Sequence, residues 1–227
     1  MTVLDNIPFV LDISSLLDRL HIEPGSGDAR DFKALVLAVR TLARPKALYR
    51  EAFITARDGD TVTIDGVTFR SRTLHANLAA AQRVFPFIAT CGIEADAIPL
   101  APGDVLQQFW LDTIKAVLLG ASTTHLLDHL ERRHQLGKSS SMSPGSGDAD
   151  TWPIEQQKEL FALLGDVKQH IGVRLTDSFL MIPNKTVSGV RFPTETDFRS
   201  CQVCHRTSCP SRSAPFDKTL WETLQHD

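Results

Sequence analysis

Apolar side chains recur every three or four residues in some stretches of the chain and alternate in others. Residues 13–20, Ile-Ser-Ser-Leu-Leu-Asp-Arg-Leu, carry helical spacing behind Asp12, whose carboxylate suits an N-cap, and Pro24-Gly25 ends the pattern. Residues 31–43 predict a second helix with Phe32, Leu35, Val36, Val39 and Leu42 on one face, stopped by Pro45. Residues 61–69 alternate on either side of Asp65-Gly66, a dipeptide that accepts the positive φ angles of a tight hairpin turn. A helix over 74–81 and a buried apolar strand over 84–91 follow. Residues 105–133 predict one long helix with room for a bend at Gly120; its small residues Ala116, Gly120 and Ala121 would let another backbone approach. Residues 137–150 read as a loop rich in Ser, Gly and Asp. Pro153 then opens a helix reaching about residue 170, with Glu155 near its positive end. Residues 176–192 predict a second hairpin, joined around Pro183-Asn184-Lys185. The tail from Arg199 is short of apolar residues. Helices and hairpins alternate without β-α-β units or an internal repeat, which predicts an α+β fold.

Composition narrows the function classes. The chain has 227 residues, enough to bury a proper core, with 42% hydrophobic and 22% charged residues, as in an ordinary globular protein. A net charge of −3 leaves no excess of positive charge to coat a phosphate backbone, so nucleic acid is not expected as a main partner. Apolar runs are broken by Asp, Arg or Gly well short of a membrane span. Residues 1–12 carry no basic region and no small-residue cleavage site, and a cytoplasmic location is expected.

The strongest chemical signal lies in the tail. Cys201-Gln-Val-Cys204-His-Arg-Thr-Ser-Cys209-Pro places three thiols within nine residues, close enough to turn toward one ion, and Arg199, Arg206 and Arg212 favour thiolates. An iron–sulfur cluster is expected, with zinc as the alternative, in preference to free thiols in a frayed end. Cys91 is the other thiol and the candidate fourth ligand; His205 and an open coordination position are the alternatives. His125, Asp128 and His129 share a helix face, which suits either a divalent metal or, more simply, solvent. The loop Ser143-Pro144-Gly145-Ser146-Gly147-Asp148 precedes a helix, where glycines let backbone amides approach an anionic group; most such loops are connectors.

Taken together, these segments resemble the reactivation domain of cobalamin-dependent methionine synthase. Residues 175–192, Leu-Thr-Asp-Ser-Phe through Val-Ser-Gly-Val-Arg-Phe, are similar to that family's Leu-Thr-Glu-Ser-Phe and Val-Ser-Gly segment, and Ser143-Pro144-Gly145 to its Arg-Pro-Ala-Pro-Gly-Tyr loop. Residues 64–69, 89–92 and 111–114, the cysteine cluster and residues 212–217 look like stand-alone members, so the likeness runs over nearly the whole chain. The resemblance implies an activation-like α+β domain over 1–198, a twisted antiparallel sheet with packed helices, and a cysteine-rich metal-binding tail over 199–227. It also implies an accessory function: reductive reactivation, cob(II)alamin to methylcobalamin, of a separate corrinoid-dependent methyltransferase such as methionine synthase, whose cobalamin the partner presents. A non-catalytic docking module with a structural metal site and a repurposed small-molecule binder are the alternatives. The ligand site is expected at Pro144, Gly145, Ser146, Gly147, Asp148, Ser188 and Gly189. The family's loop arginine falls at Ser141, its loop tyrosine at Ser146, its helix acid near Thr124 and a later tyrosine near Phe198. Binding of S-adenosylmethionine is therefore expected to be weak.

Overall fold

A computed structural model describes residues 1–226 apart from 149, 197 and 211. In chain order the elements are β1 (Thr2–Leu4), α1 (Ile13–Leu20), α2 (Gly27–Leu42), β2 (Lys46–Tyr49), β3 (Ala52–Asp58), β4 (Thr61–Ile64), β5 (Val67–Arg70), α3 (Arg72–Asn77) and β6 (Arg83–Thr90). They continue with α4 (Val105–His134), β7 (Ser139–Met142), α5 (Gln157–Leu164), α6 (Val167–Ile171), β8 (Arg174–Leu175), β9 (Met181–Ile182), β10 (Thr186–Pro193) and α7 (Lys218–His226).

The near-continuous apolar run of β6 makes it the central strand, as its composition requires of a strand buried on both faces. On one side it pairs with β2 and β3 in a single antiparallel register, Tyr49 opposite Phe87 and Ala52 opposite Val84. Pro86 sits in the middle of that register. Arg50 donates its N–H to the Pro86 carbonyl at 3.1 Å, but Pro86 has no N–H to return, so the ladder lapses there and divides β2 from β3. On its other side β6 pairs with β10, and β10 pairs in turn with β7. Strand β1 extends the sheet beyond β2, and the β4–β5 hairpin extends it beyond β3. The hairpin turns at Asp65 and Gly66, both with positive φ, as its sequence predicts.

One face of the sheet packs against α3, α5 and α6 around Phe69, Leu74, Trp152, Leu160 and Phe192. The opposite face, through Tyr49, Phe85 and Phe87, receives Leu126 and Leu130 of α4. The first half of α4 packs with α1 and α2 around Phe32, Leu118 and Trp110, whose ring meets Phe32 edge-on. Asp12 caps α1 by accepting from the Ser14 and Ser15 amides.

Several expected elements differ. Helix α2 begins at Gly27 because Ser26 caps it, accepting from the Ala29 amide at 3.1 Å. Helix α4 runs unbroken through Gly120, which is exposed with open space where a side chain would sit, so no backbone packs there. The helix expected from Pro153 to about 170 is two helices parted at Gly165 (φ +77). Residues 176–192 do not form a hairpin: β9 pairs with β8, while β10 crosses to β6 and β7. Strand β7 lies inside the segment read as a loop. The tail folds onto the main body, with Val203 and Leu224 joining the core that contains Phe69 and Phe192.

Candidate functional site

The β7–β10 pair builds the site. Arg191 lies opposite Ser141 and Pro193 opposite Ser139, and strand alternation puts Ser139, Ser141 and Arg191 on one face while Ser140 and Met142 turn inward. The Arg191 guanidinium donates to Ser139 Oγ at 2.8 Å and to Ser141 Oγ at 3.2 Å. Gly189 allows the two strands to meet: a Cβ there would lie 2.4 Å from the Met142 carbonyl oxygen and 2.8 Å from Ser143 Oγ. Above this face the tail closes a polar cavity of about 470 Å³, to which it contributes Phe198, Arg199, Ser200, Cys201 and Ser213. Cys201 Sγ accepts from the Ser213 hydroxyl and amide, and these bonds hold the thiol below its ordinary pKa.

The expected ligand residues divide among different surroundings. Ser146 lines the polar cavity with Ser141 and Phe198. Pro144 lines a second cavity of about 430 Å³, walled by Ile154, Phe179, Leu180 and Met181. Gly145 and Gly147 hold positive φ and lie against Ile154 and Thr151, so their conformations serve the loop's own packing. The amides expected to meet an anion are engaged within the loop: Gly145 donates to the Trp152 carbonyl at 2.8 Å and Ser146 to Ser143 at 3.1 Å. Ser188 is buried and donates to Gln157 Oε1 at 2.8 Å, on the far face of β10. Asp148 ties the loop to the tail, accepting from the His205 amide at 2.9 Å and contacting the His205 ring. Burial pushes the Asp148 carboxyl up, but the His205 and Cys204 hydrogen bonds outweigh it and hold the group below the usual carboxylate range.

Cys91 lies apart from the tail cysteines. Cys91 follows the last residue of β6 and is fully buried among the α2 and α4 side chains; burial pushes its thiol up to about 11. The tail packs near the opposite end of β6, where Gln202 lines a cavity with Ala81. Cys91 is thus not brought to the tail, which corrects its expected role as fourth ligand. Cys201 is engaged by Ser213, and Cys204 turns to Asp148. Arg212 draws the tail backbone inward through the Cys201 and Cys204 carbonyls. Among the described residues no group of three His, Cys, Asp or Glu side chains is arranged to hold a metal ion, and the structure gives no support for an iron–sulfur cluster or zinc at Cys201, Cys204 and Cys209.

The helical face carrying His125, Asp128 and His129 is not simply solvated. Tyr49 Oη lies 3.1 Å from His129 Nε2 and 3.2 Å from His134 Nε2, and burial pulls both imidazoles below their ordinary value. Sequence spacing hid this contact because β2 supplies the tyrosine.

Residues 138–204 match the family described as vitamin B12 dependent methionine synthase, activation domain. A crystal structure of the MetH reactivation domain bound to AdoHcy aligns with 88% of this chain and 81% of its own length, at a TM-score of 0.58 and 16% sequence identity. This chain has the reactivation-domain fold. No curated protein matches the sequence. The matched segment contains β7, the 144–148 loop, α5, α6 and β10, and it supplies most of the walls of the polar cavity. No described helix is long and apolar enough to cross a membrane.

Arg191, Ser139, Ser140, Ser200 and Ser213 are the cavity residues that sequence reasoning missed. Only the pairing of Arg191 with Ser141 reveals the guanidinium, and that pairing depended on recognising β7 in a run of serines.

Proposed function

We propose that this protein docks on a separate cobalamin-binding protein and assists its reductive reactivation, the conversion of cob(II)alamin to methylcobalamin. The observation that carries this reading is a convergence. Three of the four positions that the resemblance places around a methyl donor, Ser141, Ser146 and Phe198, line one cavity within the segment that matches the activation-domain family. The fourth, Thr124, is exposed on α4 and absent from that lining.

In such a complex the partner's cobalt supplies the chemistry, taking one electron from a reductant and a methyl group from a donor. This chain's contribution is position: it holds the carrier over the cavity and limits its orientation. The tail cysteines, as arranged, carry no step in this reading. Binding of S-adenosylmethionine itself is weak, because serines stand at 141 and 146 where an arginine and a tyrosine would hold its amino-acid end.

A landing surface adjoins the loop. Leu180 is 59% exposed and Ile154 37% exposed, both lining the second cavity, which Phe179 at φ +62° lines as well. The test is a binding titration of the whole chain against purified cobalamin proteins in the cob(II)alamin state. Leu180→Asp should weaken the complex at least about tenfold while the chain stays folded, because it puts an unpaired charge into an apolar contact. Equal binding by Leu180→Asp and the unaltered chain removes this face as the landing surface; no binding to any candidate removes the proposal.

A further inference from the structure

The polar cavity poses a question of charge that docking does not answer. Arg191 is partly buried, and that burial pulls its guanidinium below the ordinary arginine value. A buried cation normally has a carboxylate against it, because an unpaired charge away from water is costly. Here the hydrogen-bond partners are two neutral hydroxyls, Ser139 Oγ and Ser141 Oγ. Among the described residues no carboxylate forms an ion pair with it. Glu131 of α4 exerts some attraction from beyond ion-pair distance, and its carboxylate accepts from the Gly137 amide at 3.3 Å.

The two serines anchor the guanidinium at the cavity wall. Ser146, Ser200 and Ser213 bring further hydroxyls to the same space, and Arg199 also lines it, its guanidinium donating to the Ser213 carbonyl at 2.9 Å. No described residue of the lining is acidic. A guanidinium fork with hydroxyls around it is complementary to a planar carboxylate or a phosphate, which accept two parallel N–H bonds and further O–H bonds. Among the described residues of the lining there is likewise no acidic group to receive an ammonium beside the ligand's anion.

We infer that this cavity is an anion site organised by Arg191, and that it takes a small ligand bearing a phosphate or carboxylate group without an adjoining ammonium. The cavity of about 470 Å³ admits a ligand well beyond a bare ion. The missing counter-charge of Arg191 is supplied by the ligand. This inference does not rest on the docking reading, and each can fail alone.

The test is calorimetric titration of the whole chain with inorganic phosphate, with succinate, with S-adenosylmethionine, and with sodium chloride as the control for ionic strength. Saturable binding of phosphate or succinate, absent with chloride, is expected; whichever binds more tightly fixes the anion class. Arg191→Gln should weaken that binding at least about tenfold, and Arg191→Lys should restore part of it, since lysine keeps the charge but not the fork. Should Arg191→Gln fail to fold by circular dichroism, the Ser139→Ala/Ser141→Ala double variant carries the comparison. It leaves the guanidinium in place but unanchored, and binding should still fall severalfold. The inference is overturned if neither anion binds above the chloride control. It is equally overturned if binding is unchanged in these variants, or if S-adenosylmethionine binds more tightly than both anions.

Discussion

Gly189 is where the β7–β10 contact is most sensitive to a single atom. Its φ is ordinary, so the constraint is space and not backbone conformation: an added methyl would meet the Met142 carbonyl oxygen and Ser143 Oγ closer than contact allows. Gly189→Ala should therefore cost about 1–3 kcal/mol of stability, an overpacking penalty read by denaturant unfolding. A variant as stable as the unaltered chain would mean that the strands lie further apart than described here. The place of Cys91 after an apolar strand suggested either packing or a ligand, and the thiol is buried with its pKa raised to about 11. Cys201, by contrast, is partly exposed with its pKa lowered. A disulfide reagent at about pH 8 should label Cys201 in the native protein and reach Cys91 only on unfolding. Labelling of Cys91 in the native state at the rate of Cys201 would contradict this placement.

At the scale of elements, local pattern was legible where one segment decides its own structure. The cap at Asp12, the turn at Asp65-Gly66 and the apolar run of β6 follow from neighbouring residues, as does most of the extent of α4. What was hidden depends on distant partners. Strand β7 is Ser-Ser-Ser-Met, with neither β-branched nor aromatic residues, and becomes a strand because β10 offers it a ladder. Residues 178–182 and 186–192 read as two arms of a hairpin, yet β8 and β6 compete for them and win. The packing of α4 on β2 gives a measurable consequence. Tyr49 stands between His129 and His134, with His125, Arg132 and Arg133 of α4, Arg83 of β6 and nearby Glu51 also acting on them. Both imidazoles titrate below their ordinary value of about 6.5, chiefly through burial. As pH falls below about 6.5 the unfolded chain takes up protons that the folded chain refuses, so stability is full above that value and declines beneath it. The thermal midpoint should drop between about pH 7.5 and pH 5.5, and drop less in a His129→Gln/His134→Gln variant. Parallel curves for the two proteins would remove this pair as the cause.

Across the whole molecule, the tail is continuous with the body. Val203 and Leu224 enter the core beside the sheet, Arg212 gathers the backbone of the cysteine segment, and His205 meets Asp148 from the loop. The result roofs the face of β7 and β10 and leaves a cavity whose walls come from parts of the chain about sixty residues apart. That convergence could not be read from spacing alone, although the α+β class could, and the resemblance implied the reactivation-like arrangement. With Arg191 in the wall and serines at 141 and 146, the cavity departs most from the family pattern where the resemblance places the methyl donor, while the surrounding scaffold is retained. The proposed role therefore depends on a partner that brings cobalamin. The most direct measurement follows the cobalt absorption spectrum of purified cobalamin proteins, held as cob(II)alamin with a reductant and S-adenosylmethionine, before and after this protein is added. Faster conversion to the methylcobalamin spectrum with at least one candidate is the predicted result. Unchanged spectra and unchanged rates with every candidate, at concentrations that saturate any binding, would contradict it.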